Sequence, residues 1–185
     1  MEATITKQFN LEQPIDKVWA ALSNPMEISG CVPGASITEQ IDDTNYKGEV
    51  SLKFGPVKSK YDGQITIEEM DNDSHKMTLK GKGLDSKGKG SAEMTMNGLA
   101  VSAGDSSTDV DFKMVVNIQG TLAQFGSRLI NDVSDQLLKQ FIENFKALLE
   151  GGEVDNTLKA GSMMGSVLKS KVSGIFKKKE EEGQE

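Results

Sequence analysis

This sequence has little of what most active sites are built from. It holds one cysteine, Cys31, and one histidine, His75. A single cysteine excludes an intrachain disulfide and fits a reducing setting such as the cytosol. One Cys and one His cannot make a structural zinc site. A Cys31–His75 nucleophile pair would lack a third, orienting group. Cys31 therefore reads as a small packed hydrophobe, and His75, beside a turn, as a surface residue. No apolar run reaches the ~18 residues that a membrane-crossing helix needs. The N-terminal MEATITKQFN has no basic start followed by an apolar stretch, so no signal peptide is expected. Positive charge is also short. The formal net charge is −7, which argues against a nucleic-acid partner.

What is present is a chain of 185 residues, enough for one domain and an appendage. Its charge is uneven. Residues 1–150 carry 15 Lys+Arg against 22 Asp+Glu. Residues 157–179 carry six lysines and no acid, and residues 180–185 then carry four glutamates. The chain thus divides into a domain over 1–150 and a tail over 151–185 with a local basic block.

Ile5 to Leu11 reads as a strand. Pro14 opens a short helix with Ile15, Val18, Trp19 and Leu22 on one face. Asn24-Pro25 ends it, and a second short helix runs to Gly30. From there the period is two. Val50, Leu52 and Phe54 alternate with charged and polar residues. Val57, Tyr61, Ile65 and Ile67 do the same, then Met77 and Leu79, Met94 and Met96, and Val110 to Ile118. Gly55-Pro56, Asn72-Asp73, Asp85-Ser86 and Gly104-Asp105-Ser106 mark the turns. Clean alternation predicts an antiparallel sheet with one wet and one buried face.

Thr121 to Leu149 then reads as one unbroken amphipathic helix of roughly 43 Å. Leu122, Phe125, Leu129, Val133, Leu137, Phe141, Phe145 and Leu148 form its apolar stripe. Gly151-Gly152 ends it. The fold class is α+β: a curved antiparallel sheet gripping a long C-terminal helix, with two short helices after the first strand.

The inward parity of the strands collects Ser59, Tyr61, Ile65, Met77 and Leu79, and then Met94, Met96, Phe112 and Met114. The helix adds Phe125, Leu129, Val133, Leu137 and Phe141. This set fits either a filled core or the lining of an apolar cavity. Methionine is pliable and suits a pocket for varied ligands. Ser59 and Tyr61 would supply its few polar contacts. Glu69 has the same parity and would approach the rim. Adjacent acids, Asp42-Asp43 and Glu68-Glu69, point to opposite faces of a strand and form no catalytic dyad. Gly81, Gly83, Gly88 and Gly90 fall on both arms of one hairpin and read as sites of sheet curvature. Lys80, Lys82, Lys87 and Lys89 read as a solvated or partner-facing edge.

In the tail, Met164, Val167, Leu168, Val172, Ile175 and Phe176 fall on one side of a helical wheel. Lys169 and three serines lie opposite. This is the pattern of a helix lying in a membrane interface, and Lys177, Lys178 and Lys179 would add attraction to anionic lipid. A solubilising tail, or a helix docking on a partner protein, fits the same residues.

Several blocks carry a resemblance. They are Pro14 with Val18-Trp19, Cys31-Val32-Pro33-Gly34, Gly55-Pro56-Val57-Lys58, the Gly-Lys-Gly repeats from Gly81 to Gly90, and most specifically Gly120 to Ile130. On these the chain resembles the carbon monoxide dehydrogenase G-subunit family, within the START-like (Bet v 1-like, SRPBCC) superfamily. The resemblance covers residues 1–149. It implies a seven-stranded antiparallel helix-grip fold with a hydrophobic cavity, and an accessory role beside a molybdenum hydroxylase. It further implies attachment of that enzyme to the inner face of the cell membrane and service to quinone. The expected protein is cytoplasmic and non-enzymatic, with menaquinone or another apolar molecule as its ligand and no metal. A cyclase or dehydratase acting through Tyr61 and Glu69, and an assembly factor with a filled core, are the alternatives.

Overall fold

The computed structural model describes residues 1–54 and 57–158. β1 (Glu2–Leu11) leads into α1 (Ile15–Leu22) and α2 (Pro25–Ser29). Then come β2 (Ala35–Gln40), β3 (Asn45–Phe54), β4 (Val57–Asp71), β5 (Lys76–Asp85), β6 (Gly90–Gly104) and β7 (Ser107–Gly120). They form one antiparallel sheet in the order β1-β7-β6-β5-β4-β3-β2. A 3-10 turn (Thr121–Phe125) precedes α3 (Gly126–Leu149), which packs on the concave face.

Local chemistry sets the short helices. Pro14 has an extended backbone, and its carbonyl accepts the first N–H groups of α1, from Lys17 and Val18, at 3.1 Å each. Asn24 caps α2 through its side chain, with Pro25 in the first helical turn where no N–H is needed.

The helical segment that the sequence predicts as continuous is realised in two pieces. Gly126 has φ 75° and ψ 170°, outside helical space, and it joins the 3-10 turn to α3. The apolar period runs on across this joint and so carries no sign of it.

Two buried clusters hold the layers together. One gathers Phe9, Leu11, Val18, Trp19, Cys31, Ala100, Val110, Phe145 and Leu149. Phe141 stacks on Phe145 at 5.5 Å and meets Phe9 edge-on at 6.1 Å. The other gathers Ala3, Ile5, Tyr61, Ile118, Leu122, Ile130 and Val133. Full burial of a side chain such as Phe145 contributes roughly 1.5–3 kcal/mol.

The turns of a meander fall alternately at two ends. The β3–β4 and β5–β6 hairpins share one end with the 3-10 turn and the start of α3. The β2–β3, β4–β5 and β6–β7 turns share the other with α1 and the end of α3.

The domain does not stop at Gly151-Gly152. Residues 152–158 fold back across the loop between α2 and β2. Gly34 donates its N–H to the Asn156 carbonyl at 2.9 Å, and Asn156 Nδ2 donates to the Ala35 carbonyl at 2.9 Å. Gln140 Nε2 donates to the Thr157 carbonyl at 2.5 Å. This segment, beyond the boundary expected at 150, thus satisfies backbone groups of the α2–β2 loop.

Candidate apolar ligand site

Register places all nine strand candidates on the concave face. Val50 pairs with Tyr61, and Leu52 with Ser59. Ile65 pairs with Gly81, and Leu79 with Met96. Met77 lies opposite Gly98, Met94 opposite Val116, and Met96 opposite Met114. Phe112 follows in the same parity on β7. From α3, Val133 is buried against the Tyr61 cluster, while Leu129 and Leu137 flank that cluster half-buried. Phe141 flanks the other cluster.

Two candidates lie elsewhere. Phe125 sits at the joint before Gly126 and is 42 % exposed, because the break in the helix turns it off the stripe. Glu69 is exposed and pairs with Thr78 on the outer face. A register shift between Ile67 and Glu69 adds a residue to β4, and this hands the inward position to Met70. Parity counted past a bulge comes out inverted. The tail candidates Met164 to Lys179 lie outside the described residues.

In the middle of the concave face, Tyr46 and Ile67 are buried beside side chains that stay partly open. Ile65, Leu79, Met94 and Met96 pack with neither buried cluster and stay half-buried. Small residues open this region further. Gly48, Gly63, Gly83 and Ala92 lie directly opposite one another across β3 to β6. At Gly63 a Cβ would fall 2.2 Å from the Lys82 carbonyl oxygen, so only glycine permits this approach of strands. The sequence points to Gly81, Gly83, Gly88 and Gly90 as curvature sites, of which only Gly83 lies in this row. The row that crosses four strands shows only once register is known. A separate recess of about 300 Å³ lies between Lys80, Lys82, Glu93, Thr95, Val115 and Asn117, chiefly side chains of the convex face.

Tyr61 stands on the concave face. It is 5 % exposed, its ring lies over Gly83, and its hydroxyl has no hydrogen-bond partner among the described residues. Burial raises its pKa above the ordinary tyrosine value, and the nearby Asp85 carboxylate adds to this. The hydroxyl thus stays protonated and able to donate. Asp85, itself buried, accepts the N–H groups of Lys87 at 2.9 Å and Lys89 at 3.3 Å and so pins the β5–β6 turn.

The single thiol is enclosed. Cys31 has no exposed surface, and burial, with Glu27 nearby, pushes its pKa up to about 11. His75 is not the free surface residue expected. It is half-buried, with its ring 5.3 Å from that of Trp19, while Trp19 Nε1 donates to Asn72 Oδ1 at 2.9 Å. Sequence reasoning also passed over Asn144, a polar residue near the apolar stripe. It is buried and donates to the Cys31 carbonyl at 3.1 Å, fixing the Cys31-Val32-Pro33-Gly34 loop to α3. Among the described residues no helix is long and apolar enough to cross a membrane.

No curated protein matches this sequence. Among solved structures, a conserved protein from Geobacillus kaustophilus superposes with a TM-score of 0.72 at 21% identity, covering 82% of this chain and 96% of its own. A START superfamily protein from Mycobacterium smegmatis gives a TM-score of 0.56 at 10% identity, with 80% and 97% coverage. The Zhui aromatase/cyclase from Streptomyces sp. R1128 gives 0.54 at 9% identity, with 82% and 93% coverage. These likenesses establish the START-like fold. The family model of the carbon monoxide dehydrogenase G-subunit (CoxG) matches residues 8–150, and with the helix-grip architecture this places the chain in the CoxG family.

Proposed function

We propose that this chain is a non-enzymatic accessory protein that holds an apolar molecule, a quinone or a lipid, between the sheet and α3. The observation that carries this reading is Tyr61. Its ring is buried, and its hydroxyl has no hydrogen-bond partner among the described residues, so the donor is available to a bound molecule. On the same face lie the half-buried Ile65, Leu79, Met94 and Met96, apolar side chains that belong to neither cluster. One donor at the edge of a flexible apolar wall suits a ligand with a single carbonyl or headgroup acceptor. The family name supplies the setting: a molybdenum hydroxylase of the carbon monoxide dehydrogenase type as partner. The tail, through Met164 to Phe176 and Lys177 to Lys179, brings the pair to the inner face of the cytoplasmic membrane.

Native mass spectrometry of the purified protein, with solvent extraction, tests the ligand. A bound quinone or lipid is expected, or uptake of added menaquinone. A protein that is empty and ignores menaquinone would leave the assembly-factor reading in its place. Tyr61→Phe is expected to weaken menaquinone binding about five- to tenfold, as loss of one hydrogen bond does. Its melting temperature should not fall, since no described group loses a partner. The likeness to an aromatase/cyclase is one of fold, so turnover of a polyketide substrate by the wild type and its loss in Tyr61→Phe would be needed to favour an enzyme.

A further inference from the structure

We infer that the folded domain has its own docking face for an anionic lipid surface, at the end that bears the β3–β4 and β5–β6 hairpins. Charge is sorted by end in this fold. Turns at the opposite end carry Asp42, Asp43, Asp71, Asp73 and Asp105. The hairpin end carries Lys53, Lys58, Lys87 and Lys89, all exposed and none in an ion pair among the described residues. Lys53 and Lys58 are direct cross-strand partners. Like charges so placed destabilise a sheet, so folding alone does not account for the patch. The acids near it are already engaged. Glu49 pairs with Lys60 at 2.6 Å, Asp62 accepts from Ser86 Oγ at 2.6 Å, and Asp85 holds the turn.

Apolar side chains at the same end turn a basic patch into an interfacial one. Leu84, at the foot of the β5–β6 turn, is 68 % exposed, and Phe125, before Gly126, is 42 % exposed. Lysines flanking exposed apolar residues match the layering of a bilayer interface, where ammonium groups meet headgroups and Leu or Phe enters below them. The described chain also finishes toward this end. Leu158 lies against Gly34, and Gly34 abuts the Ser51 carbonyl, in the half of β3 nearer that end. The sequence then enters the segment 159–179 with its six lysines. Lipid is favoured over an acidic protein because Leu84 and Phe125 are single protruding side chains and not a broad apolar patch. Tyr61 belongs to the cluster at this end, so docking would bring the proposed ligand site toward the surface.

The inference rests on the membrane association proposed above, and the test separates the two. The full-length chain is floated with vesicles of phosphatidylcholine and phosphatidylglycerol at about 3:1, and with pure phosphatidylcholine, at about 0.15 M salt. The wild type is expected to bind only the anionic vesicles. K53Q/K58Q/K87Q/K89Q is expected to lose at least about tenfold in affinity, since one basic residue near such a surface is worth about fivefold. K177Q/K178Q/K179Q should lose affinity independently. Removing Lys53 from opposite Lys58 should not lower the melting temperature, which guards against unfolding as the cause. F125W should show blue-shifted emission on anionic vesicles. Wild-type affinity in the quadruple variant, or F125W emission unmoved by vesicles that bind the protein, would overturn the hairpin face and leave the tail anchor standing. Failure of the wild type to float would overturn both, and its retention on immobilised polyglutamate instead would assign the face to an acidic protein partner.

Discussion

Cys31 and Thr108 show how little of this protein's reactive chemistry is available to solvent. An unfolded cysteine loses its proton near pH 9.0, whereas Cys31 in the folded chain keeps it to about 11. Between those values the folded state holds a proton that the unfolded state has lost. The stability from this group is therefore complete below about pH 8.5 and falls as pH rises toward 11. The wild-type urea midpoint should drop across that range, and Cys31→Ala should lack that part of the drop. A thiol reagent should leave the native protein unmodified at about pH 8 and label it in denaturant. Equal labelling in both states would contradict the enclosed thiol. Thr108 has no exposed surface and donates to the Gln13 carbonyl at 2.8 Å. Thr108→Val keeps the shape and removes the donor, so it should cost about 1–3 kcal/mol in urea unfolding. Thr108 continues the inward parity of β7 one step before Val110, where the alternation read from sequence begins. Its acceptor lies 95 residues away in sequence and does not show there.

At the scale of elements, period and register separate what is legible from what is not. The alternation of Met94 and Met96, or of Val110 and Phe112, is local, and it leads to the concave face for all nine strand candidates. Glu69 falls outside because a bulge changes parity without changing composition. Phe125 falls outside because one residue, Gly126, leaves helical space while the stripe of apolar residues continues. Each error is a single backbone angle or insertion, invisible to a count of spacings. The glycine row likewise depends on pairing between strands. It also gives a sharp contrast. Gly63→Ala would put a methyl 2.2 Å from a neighbouring strand's carbonyl oxygen, which cannot rotate away. A loss of about 1–3 kcal/mol or more is expected in thermal or urea unfolding. Gly83→Ala, a register partner on the next strand, would meet Tyr61 Cβ at 3.4 Å, an ordinary contact, and should change stability by less than about 0.5 kcal/mol. Equal costs in the two variants would mean that the row is not a close approach of backbones.

For the whole molecule the question is where the folded unit ends and the lysine-rich tail begins. A pair of glycines after a helix is a sound stop signal for the helix, but it says nothing about where the chain goes next. Here it returns. Val154 packs on the core cluster of Phe145 and Leu149, Asn156 makes two hydrogen bonds with the α2–β2 loop, and Leu158 covers Gly34. Net of the entropy of ordering the segment, these apolar contacts and hydrogen bonds are expected to contribute about 2 kcal/mol. In a domain of this size that corresponds to roughly 4–8 °C in melting temperature. A chain ended after residue 158 should therefore melt within about a degree or two of the full-length protein. A chain ended after residue 150 should melt lower by that larger amount, with the Gly34 amide, which donates to Asn156, exchanging faster in hydrogen exchange. If the two truncations melt alike, residues 152–158 add nothing to the fold. If both lose anionic-vesicle binding only in part, the remainder belongs to Lys53, Lys58, Lys87 and Lys89, since both truncated chains keep that end of the sheet intact.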